Sequence, residues 1–352
     1  MKNVKSSASD QLDGLSPEEK RKLLARLLSE KKNKQSFPLS PAQQRLWFID
    51  ALQDGQTVYL IPATLRISGT LDSALLHRCL NEIVARHEIL RTCFISEEGV
   101  PRQVIAPELT LPPLEDDSDI YKKPFDLSQA PLFQARLTTE KDGSYLLHLV
   151  IHHIIADYWS LRILLRELQH LYASHKAGIS PALPPLSIQY PDYAVWQNEQ
   201  ASLHQSELTY WEKQLAGVPP LLRLPLDFPR PAKPSFQGRR HQLHLSAISS
   251  EALRKLAFSE SATLFSATLS ALQALLFRYT GQDDFCIGST VSNRDREETR
   301  HLIGLFVNNV VFRCHPEKDW SFRTWLQQTH ATVVGGLSHQ QVPFERVVDI
   351  LK

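Results

Sequence analysis

The stretch that decides the fold covers residues 152–160 and reads His-His-Ile-Ile-Ala-Asp-Tyr-Trp-Ser. An apolar run, residues 145–151, precedes it and a helical pattern, residues 161–177, follows it, so the order predicts a strand, a tight polar turn and a helix. Asp157 stands where a helix N-cap belongs, because a carboxylate there accepts hydrogen bonds from free backbone N–H groups. A histidine in such a turn can transfer a proton near neutral pH. The alternative is a strand end with two incidental histidines and an ordinary cap.

Length and composition indicate a globular protein with room for two cores. The 352 residues are 42% hydrophobic and 22% charged, with a net charge of +1. That charge balance lacks the broad basic footprint of a nucleic-acid-binding protein. No apolar run approaches the ~20 residues that cross a bilayer, and no signal-peptide core follows the N-terminus. Neither nucleic acid nor membrane is therefore expected as a partner. The four scattered cysteines predict no disulfide framework and no zinc site, and they favour a cytoplasmic location.

Residues 1–37 are predicted to form an N-terminal linker that carries a docking helix. The helix starts at Ser16, where a Ser cap, Pro17 and Glu19 form a capping box. Its leucines form one stripe and its remaining positions are mostly basic. Such a helix packs either on the following domain or on a partner, and both possibilities stay open.

The rest of the chain is predicted to form two lobes, residues 38–187 and 237–352, joined by a connecting helix and a Pro-rich linker, residues 188–236. Within the connection, residues 191–217 read as one long helix or a broken pair. In the first lobe we expect strands at 59–67, 103–106, 132–138 and 145–152, and helices at 72–87 and 159–177. In the second lobe we expect strands at 240–245, 285–289 and 308–314, and helices at 249–259 and 262–279. This mixture predicts an α+β fold.

Five further segments are dense in polar and aromatic residues. They are residues 40–48 (Ser-Pro-Ala-Gln-Gln-Arg-Leu-Trp-Phe), 86–94 (Arg-His-Glu-Ile-Leu-Arg-Thr-Cys-Phe), 190–197 (Tyr-Pro-Asp-Tyr-Ala-Val-Trp-Gln), 303–309 (Ile-Gly-Leu-Phe-Val-Asn-Asn) and 339–345 (His-Gln-Gln-Val-Pro-Phe-Glu). Taken singly, each is typical of core aromatics, helix caps and surface charges.

Taken together and in this order, the six motifs closely resemble those of the condensation domains of nonribosomal peptide synthetases, over residues 38–352. The resemblance implies a chloramphenicol-acetyltransferase-like fold, with two similar lobes in a V and a tunnel between them. It implies an acyltransferase that joins an acyl donor to an aminoacyl acceptor, each held as a thioester on the 4'-phosphopantetheine arm of a carrier protein. The expected partners are the upstream donor and downstream acceptor carrier proteins and adjacent megasynthase modules. No cofactor bound by the domain itself is implied.

The resemblance also implies roles for single residues. His153 matches the residue on which activity depends, and whether it deprotonates the amine or mainly positions it stays open. His152 matches a structural position. Asp157 is expected to be scaffold, in an ion pair with Arg294 across the lobe interface. The alternative for Arg294 is an ordinary surface arginine.

The same motifs suggest supporting residues and two departures from the family pattern. Ser160 is expected to help the helix start, while Trp159 and Asn308 are candidates to line the tunnel. The family usually has Gly where this chain has Tyr158, so we expect either a reshaped tunnel or a weakened activity. The family usually continues well past residue 345. The second lobe is therefore expected to be incomplete at its C-terminus, with an exposed sheet edge and apolar face.

Several other functions remain open. The epimerization relative shares the histidine motif, although residues 45–47 and 86–94 favour condensation. A heterocyclizing relative is disfavoured, because those domains replace the histidine pair with aspartate. An acyltransferase that uses coenzyme A is a weaker alternative. A non-catalytic domain that docks or recruits carrier proteins is the hypothesis from a different class. No metal or nucleotide signature is found in the sequence.

Overall fold

A computed structural model describes residues 35–53, 57–115, 120–121, 123–200, 205–232, 235–236, 238–317 and 319–351. The predicted docking helix that starts at Ser16 lies outside these ranges. The described strands are β1 (Gln35–Pro38), β2 (Leu60–Ile67), β3 (Thr92–Glu97), β4 (Val100–Ile105), β5 (Phe133–Thr139), β6 (Tyr145–His152), β7 (Phe285–Val291) and β8 (Asn308–Cys314).

The described helices lie between and after these strands, and five of them follow one another between β6 and β7. They are α1 (Pro41–Gln53), α2 (Ser73–Arg86), α3 (Tyr158–Lys176), α4 (Tyr190–Gln200), α5 (Gln205–Leu215), α6 (Ala247–Ser259), α7 (Leu264–Thr280), α8 (Phe322–Ser338) and α9 (Phe344–Ile350). Residues 191–217, expected to form one long helix or a broken pair, correspond to α4 and α5, and the four residues between these helices lie outside the described ranges. The mixture of small antiparallel sheets and helices confirms the predicted α+β class.

The chain divides into two compact units. The first comprises the described residues up to Val195 together with His301–Gly304, and the second comprises Trp196–Arg300 and the residues from Leu305 onward. The short return of His301–Gly304 to the first unit was not indicated by any sequence pattern.

The first unit contains two three-stranded antiparallel sheets, ordered β1-β4-β3 and β2-β6-β5. In the second of these, β6 is central and most of its side chains are buried. The β2–β6 register pairs Leu60 with His152, so the histidine motif begins where the ladder ends. Helix α3 packs its leucine face inward, as its buried Leu164, Leu168 and Leu171 show. The predicted strand, turn and helix are therefore confirmed.

In the second unit, β7 and β8 form an antiparallel pair. Its main core gathers apolar side chains of α5, α7, β8 and α8, together with Val342 and Val347. Helix α7 ends at Gly281, which adopts a left-handed conformation (φ 67°) that favours glycine.

Two predictions of local structure are wrong. Residues 240–245 are exposed and form neither strand nor helix. Their alternating leucines match a strand pattern, but a strand needs a neighbour to accept its backbone hydrogen bonds, and these residues join no ladder with a described strand. The predicted linker also ends too late, because residues from Gln35 form β1 and pair with β4.

Within the described ranges, no helix combines the length and apolarity needed to traverse a membrane.

Candidate functional site

The histidine motif forms a turn between the end of β6 and the start of α3. His153–Ile155 form one 3₁₀ turn, and Asp157 caps α3. The Asp157 carboxylate is fully buried, and its Oδ1 lies 2.7 Å from both the backbone nitrogen and the hydroxyl oxygen of Ser160. The predicted cap and the predicted help of Ser160 at the helix start are both confirmed. Such a cap typically stabilises a helix by about 1 kcal/mol.

His152 is a buried, neutral imidazole. It is 2% exposed, and its Nδ1 accepts a hydrogen bond of 3.2 Å from the Ile154 N–H, so the proton of the neutral ring sits on Nε2. Burial lowers the pKa of His152 to about 4, with a smaller contribution from the positive charge that a protonated His153 would place beside it. The edge of Phe125 packs against the ring, with centroids 6.3 Å apart. Its Nε2 is also buried and has no hydrogen-bond partner among the described residues, and the structural role of His152 stays a prediction.

His153 has a different environment from its neighbour. Its side chain is only half-buried, so it is not sealed inside the packing of the first unit. Its Nδ1 is buried and has no hydrogen-bond partner among the described residues. The partial exposure of the ring is the feature that a proton-transferring imidazole needs, because such a group must reach the substrate.

Residues 40–43 support this turn, a role that the sequence analysis missed. Ser40 and Gln43 form a reciprocal capping box at the start of α1: the Ser40 N–H donates to Gln43 Oε1 (3.0 Å) and the Gln43 N–H donates to Ser40 Oγ (3.2 Å). The Gln43 Nε2 then donates to the carbonyl of Ile154 inside the histidine turn (3.2 Å). The Ser-Pro-Ala-Gln spacing is a capping-box signature and could have located the helix start.

A buried polar network lies behind α3. Glu167, which is 5% exposed, bonds His87 Nε2 (2.9 Å) and Arg86 Nε (3.2 Å) through its two carboxylate oxygens. Burial alone would raise the pKa of Glu167, but the hydrogen bond from His87 and the charge of Arg86 lower it. The sequence signal for this network was a glutamate on the leucine-rich face of α3, where a charge needs a buried partner.

Arg294 in the second unit is buried, which rules out the surface alternative. It is 5% exposed, its Nη1 donates to the carbonyl of Thr299 (2.6 Å), and its guanidinium lies 4.0 Å from the centroid of the Phe306 ring. The ion pair with Asp157 would join the two units and stays a prediction.

The side chain of Asn308 forms three hydrogen bonds to the backbone of the second unit. Its Nδ2 donates to the carbonyls of Gln340 (2.8 Å) and Val342 (2.6 Å), and its Oδ1 accepts from the Phe344 N–H (3.1 Å). This amide therefore fastens the start of β8 to the segment before α9. A further role in lining a tunnel stays a prediction.

Two large aromatic side chains begin α3. Tyr158 is 65% exposed and Trp159 is 43% exposed, and the guanidinium of Arg162 lies 5.7 Å from the Trp159 centroid. Both are accessible beside the histidine turn, and their contact with substrate stays a prediction.

Within the described ranges, no group of three or more His, Cys, Asp and Glu side chains is arranged to hold a metal ion. Two cysteines of β7 and β8 are also poor nucleophiles, because burial raises the pKa of Cys286 to about 11 and of Cys314 to about 12.

Comparison with known proteins identifies the family. The model of the family described as "Condensation domain" matches residues 33–352. The chain belongs to the condensation-domain family. Chondramide synthase cmdD of Chondromyces crocatus is 40% identical over 335 residues, which cover 90% of this chain and 8% of that protein. Phosphinothricin tripeptide synthetase PhsC of Streptomyces viridochromogenes is 40% identical over 331 residues, covering 89% of this chain and 30% of that protein. The chain thus spans less than a third of the length of each of these relatives.

Solved structures show the same fold. The X-domain from teicoplanin biosynthesis superposes with a TM-score of 0.79 at 29% identity, covering 89% of this chain and 73% of that one. The first condensation domain of the CDA synthetase gives a TM-score of 0.75 at 20% identity, covering 90% and 80%. The chain therefore has the chloramphenicol-acetyltransferase-like fold of condensation domains, as its motifs predicted.

Proposed function

We propose that this domain forms an amide bond between two substrates, each bound as a thioester to the phosphopantetheine arm of a carrier protein. The acceptor's amine nitrogen attacks the thioester carbonyl carbon of the donor. A C–N bond forms, the C–S bond breaks, and the donor's carrier leaves as a thiol. The proton lost by the nitrogen is the one that the thiolate gains, so no redox partner or metal is needed.

His153 is the residue that we propose to touch the reacting amine. The observation that carries this is the difference in burial between the two histidines: His152 is 2% exposed and its Nδ1 accepts from the Ile154 N–H, whereas the His153 ring is only half-buried. A neutral imidazole at position 153 can accept a hydrogen bond from the amine and take its proton as the C–N bond forms. An α-amine has a pKa near 8, so it needs only modest help to become neutral, and positioning supplies part of the rate.

Single-turnover transfer between loaded carrier proteins, read by intact-protein mass spectrometry, tests the proposal. The wild type should move the donor acyl group onto the aminoacyl carrier, and His153→Ala should lower the rate by about 10²- to 10⁴-fold. His170→Ala is the matched control, because His170 lies exposed on the same helix, α3; it should leave the rate unchanged. Equal rates for wild type and His153→Ala would contradict the proposal.

A second candidate function is the recruitment of another protein without catalysis. It is favoured by the likeness to the teicoplanin X-domain, which has been solved in a complex with OxyB and superposes here with a TM-score of 0.80 at 29% identity. Carrier binding without any amide product would support this candidate. Inversion of the donor's α-carbon without transfer would instead support the epimerization relative.

A further inference from the structure

A four-residue segment, His301–Gly304, belongs by its contacts to the first unit, although the residues on both sides of it in the chain belong to the second. We propose that Ser160 and His87 clamp this segment to the histidine turn, and that Ser160 thereby acts as a positioning residue for His153. The part of this inference that concerns the reaction rests on the proposed function.

Ser160 supplies the first point of the clamp. Its Oγ lies 3.0 Å from the Gly304 backbone nitrogen, which donates to it, and 2.8 Å from the Gly304 carbonyl oxygen, to which it can donate. Gly304 is buried next to Leu302 and Ile303, both 1% exposed. Backbone groups in such apolar surroundings need polar partners. The Ser160 oxygen accepts from the Gly304 N–H, and its single proton is shared between the Gly304 carbonyl and Asp157 Oδ1.

His87 supplies the second point. Because its Nε2 carries the hydrogen that Glu167 accepts, its Nδ1 is left as an acceptor in the neutral ring, and it faces the Ile303 N–H at 3.5 Å. This contact is longer, and therefore weaker, than the one from Gly304 to Ser160. Together, the two contacts hold consecutive backbone N–H groups of the segment with side chains from distant parts of the first unit.

The clamp is continuous with the proposed catalytic turn. The Ser160 hydroxyl that meets Gly304 also lies 2.7 Å from Asp157 Oδ1, the carboxylate oxygen that caps α3. The 3₁₀ turn that begins with His153 ends at Ile155, and Ala156 is the one residue between it and Asp157. A line of hydrogen bonds thus runs from the segment through Ser160 to the base of the histidine turn. Displacing a reacting group by about 1 Å is enough to lower a rate by about 10²-fold.

Ser160→Ala tests the first point, with Ser160→Thr as the conservative variant that keeps the hydroxyl. Hydrogen exchange of the Gly304 amide should be at least ~10-fold faster in Ser160→Ala and should return toward the wild-type rate in Ser160→Thr. The single-turnover rate should fall ~10-fold in Ser160→Ala at an unchanged KM for the acceptor carrier, and Ser160→Thr should recover it. The imidazole NMR signal of His153 should move in Ser160→Ala, while that of His170 stays in place.

The outcomes separate the clamp from the proposed function. Wild-type exchange at Gly304 in Ser160→Ala overturns the clamp. Faster exchange with an unmoved His153 signal and an unchanged rate overturns the positioning role. If the wild type makes no amide, the proposed function is wrong. The Gly304 exchange rate and the His153 NMR signal then still test whether Ser160 holds the segment and positions His153.

A pair of His87 variants covers the case in which Ser160→Ala does not fold. His87→Asn can keep an acceptor near the position of Nδ1 for Ile303, whereas His87→Gln can keep a donor near Nε2 for Glu167. The clamp predicts slower Ile303 exchange in His87→Asn than in His87→Gln. The reverse order, or equal exchange, overturns the second point.

Discussion

The histidine turn of the first unit and the contact between α5 and α8 in the second unit are specified by different forces. The turn is held by hydrogen bonds to buried polar groups: the Asp157 cap, the Gln43 amide and the Ser160 hydroxyl. The helix contact is held by shape. The Tyr210 ring stacks on the His339 ring, with centroids 3.8 Å apart and planes 3° apart. A Cβ added to Gly335 would lie only 2.6 Å from the Tyr210 hydroxyl oxygen.

This difference shows that the candidate site and the helix packing of the second unit depend on different kinds of side chain. In the polar turn, hydrogen bonds made by Asp157, Ser160 and Gln43 hold the backbone, and the His153 ring stays half-buried beside it. The contact at the end of α8 includes one such bond, from Trp211 Nε1 to the His339 carbonyl (3.0 Å), and its close aromatic packing depends on the missing side chain of Gly335. We therefore expect changes in the first region to alter charge and pH behaviour, and changes in the second to alter stability alone.

Removing Glu167 should give the largest loss of stability, because it leaves His87 and Arg86 without their shared buried carboxylate. Glu167→Ala should lower the free energy of unfolding by about 3–5 kcal/mol, and Glu167→Gln by less. Glu251, whose side chain is 56% exposed and pairs with Arg254, is the matched surface control. Glu251→Ala should cost less than about 1 kcal/mol in urea unfolding. Similar losses for both alanine variants would erase the distinction between buried network and surface pair.

The buried neutral His152 should make the protein less stable in acid. Its pKa is about 4 in the folded state and about 6.5 in the unfolded chain, so the unfolded chain binds more protons between these values. The contribution is complete above pH 6.5 and decreases as the pH falls toward 4, by about 3 kcal/mol in total.

Urea unfolding at a series of pH values checks this for wild type and His152→Asn. The variant should show a shallower fall in stability over that window, because it no longer titrates at position 152. Parallel curves would mean that His152 is not held neutral by the fold.

Gly335→Ala should have the smallest effect and should test the shape argument in the second unit. The new Cβ would meet the Tyr210 hydroxyl, a cost of about 1–3 kcal/mol that the better helix propensity of alanine offsets by about 1 kcal/mol. In the Tyr210→Phe background the nearest remaining ring atom is 3.4 Å away, which is ordinary contact. There Gly335→Ala should become neutral or stabilising in thermal unfolding. The same loss in both backgrounds would rule out the hydroxyl as the cause.

Local patterns predicted much of the first unit. The strands that flank the histidine motif and the helices capped by Asp72 and Asp157 follow from alternation, helical periodicity and cap residues over short distances. The strand predicted at residues 240–245 was wrong because the same alternation also occurs where no described strand is available as a partner. Strand β3 and helix α8 were not predicted at all.

The contacts that organise the candidate site lie far apart in sequence. His87 meets Glu167 across 80 positions, and Ser160 meets Gly304 across 144. Patterns of hydrophobic periodicity extend over a few residues and therefore cannot predict contacts between residues so far apart in sequence. The resemblance of six ordered motifs predicted the family, which is confirmed, and a role for His153, which stays a prediction. The contacts of residues 301–304 with Ser160 and His87 became visible only in the three-dimensional structure.

The most direct test of the account is a crossed measurement on the two histidines. For His153→Ala and His152→Asn, amide formation between loaded carriers and the free energy of unfolding at pH 7 would both be measured. We predict that His153→Ala loses amide formation and keeps wild-type stability, whereas His152→Asn loses stability as its buried contacts change. A His153→Ala protein that forms amide at the wild-type rate would contradict the account.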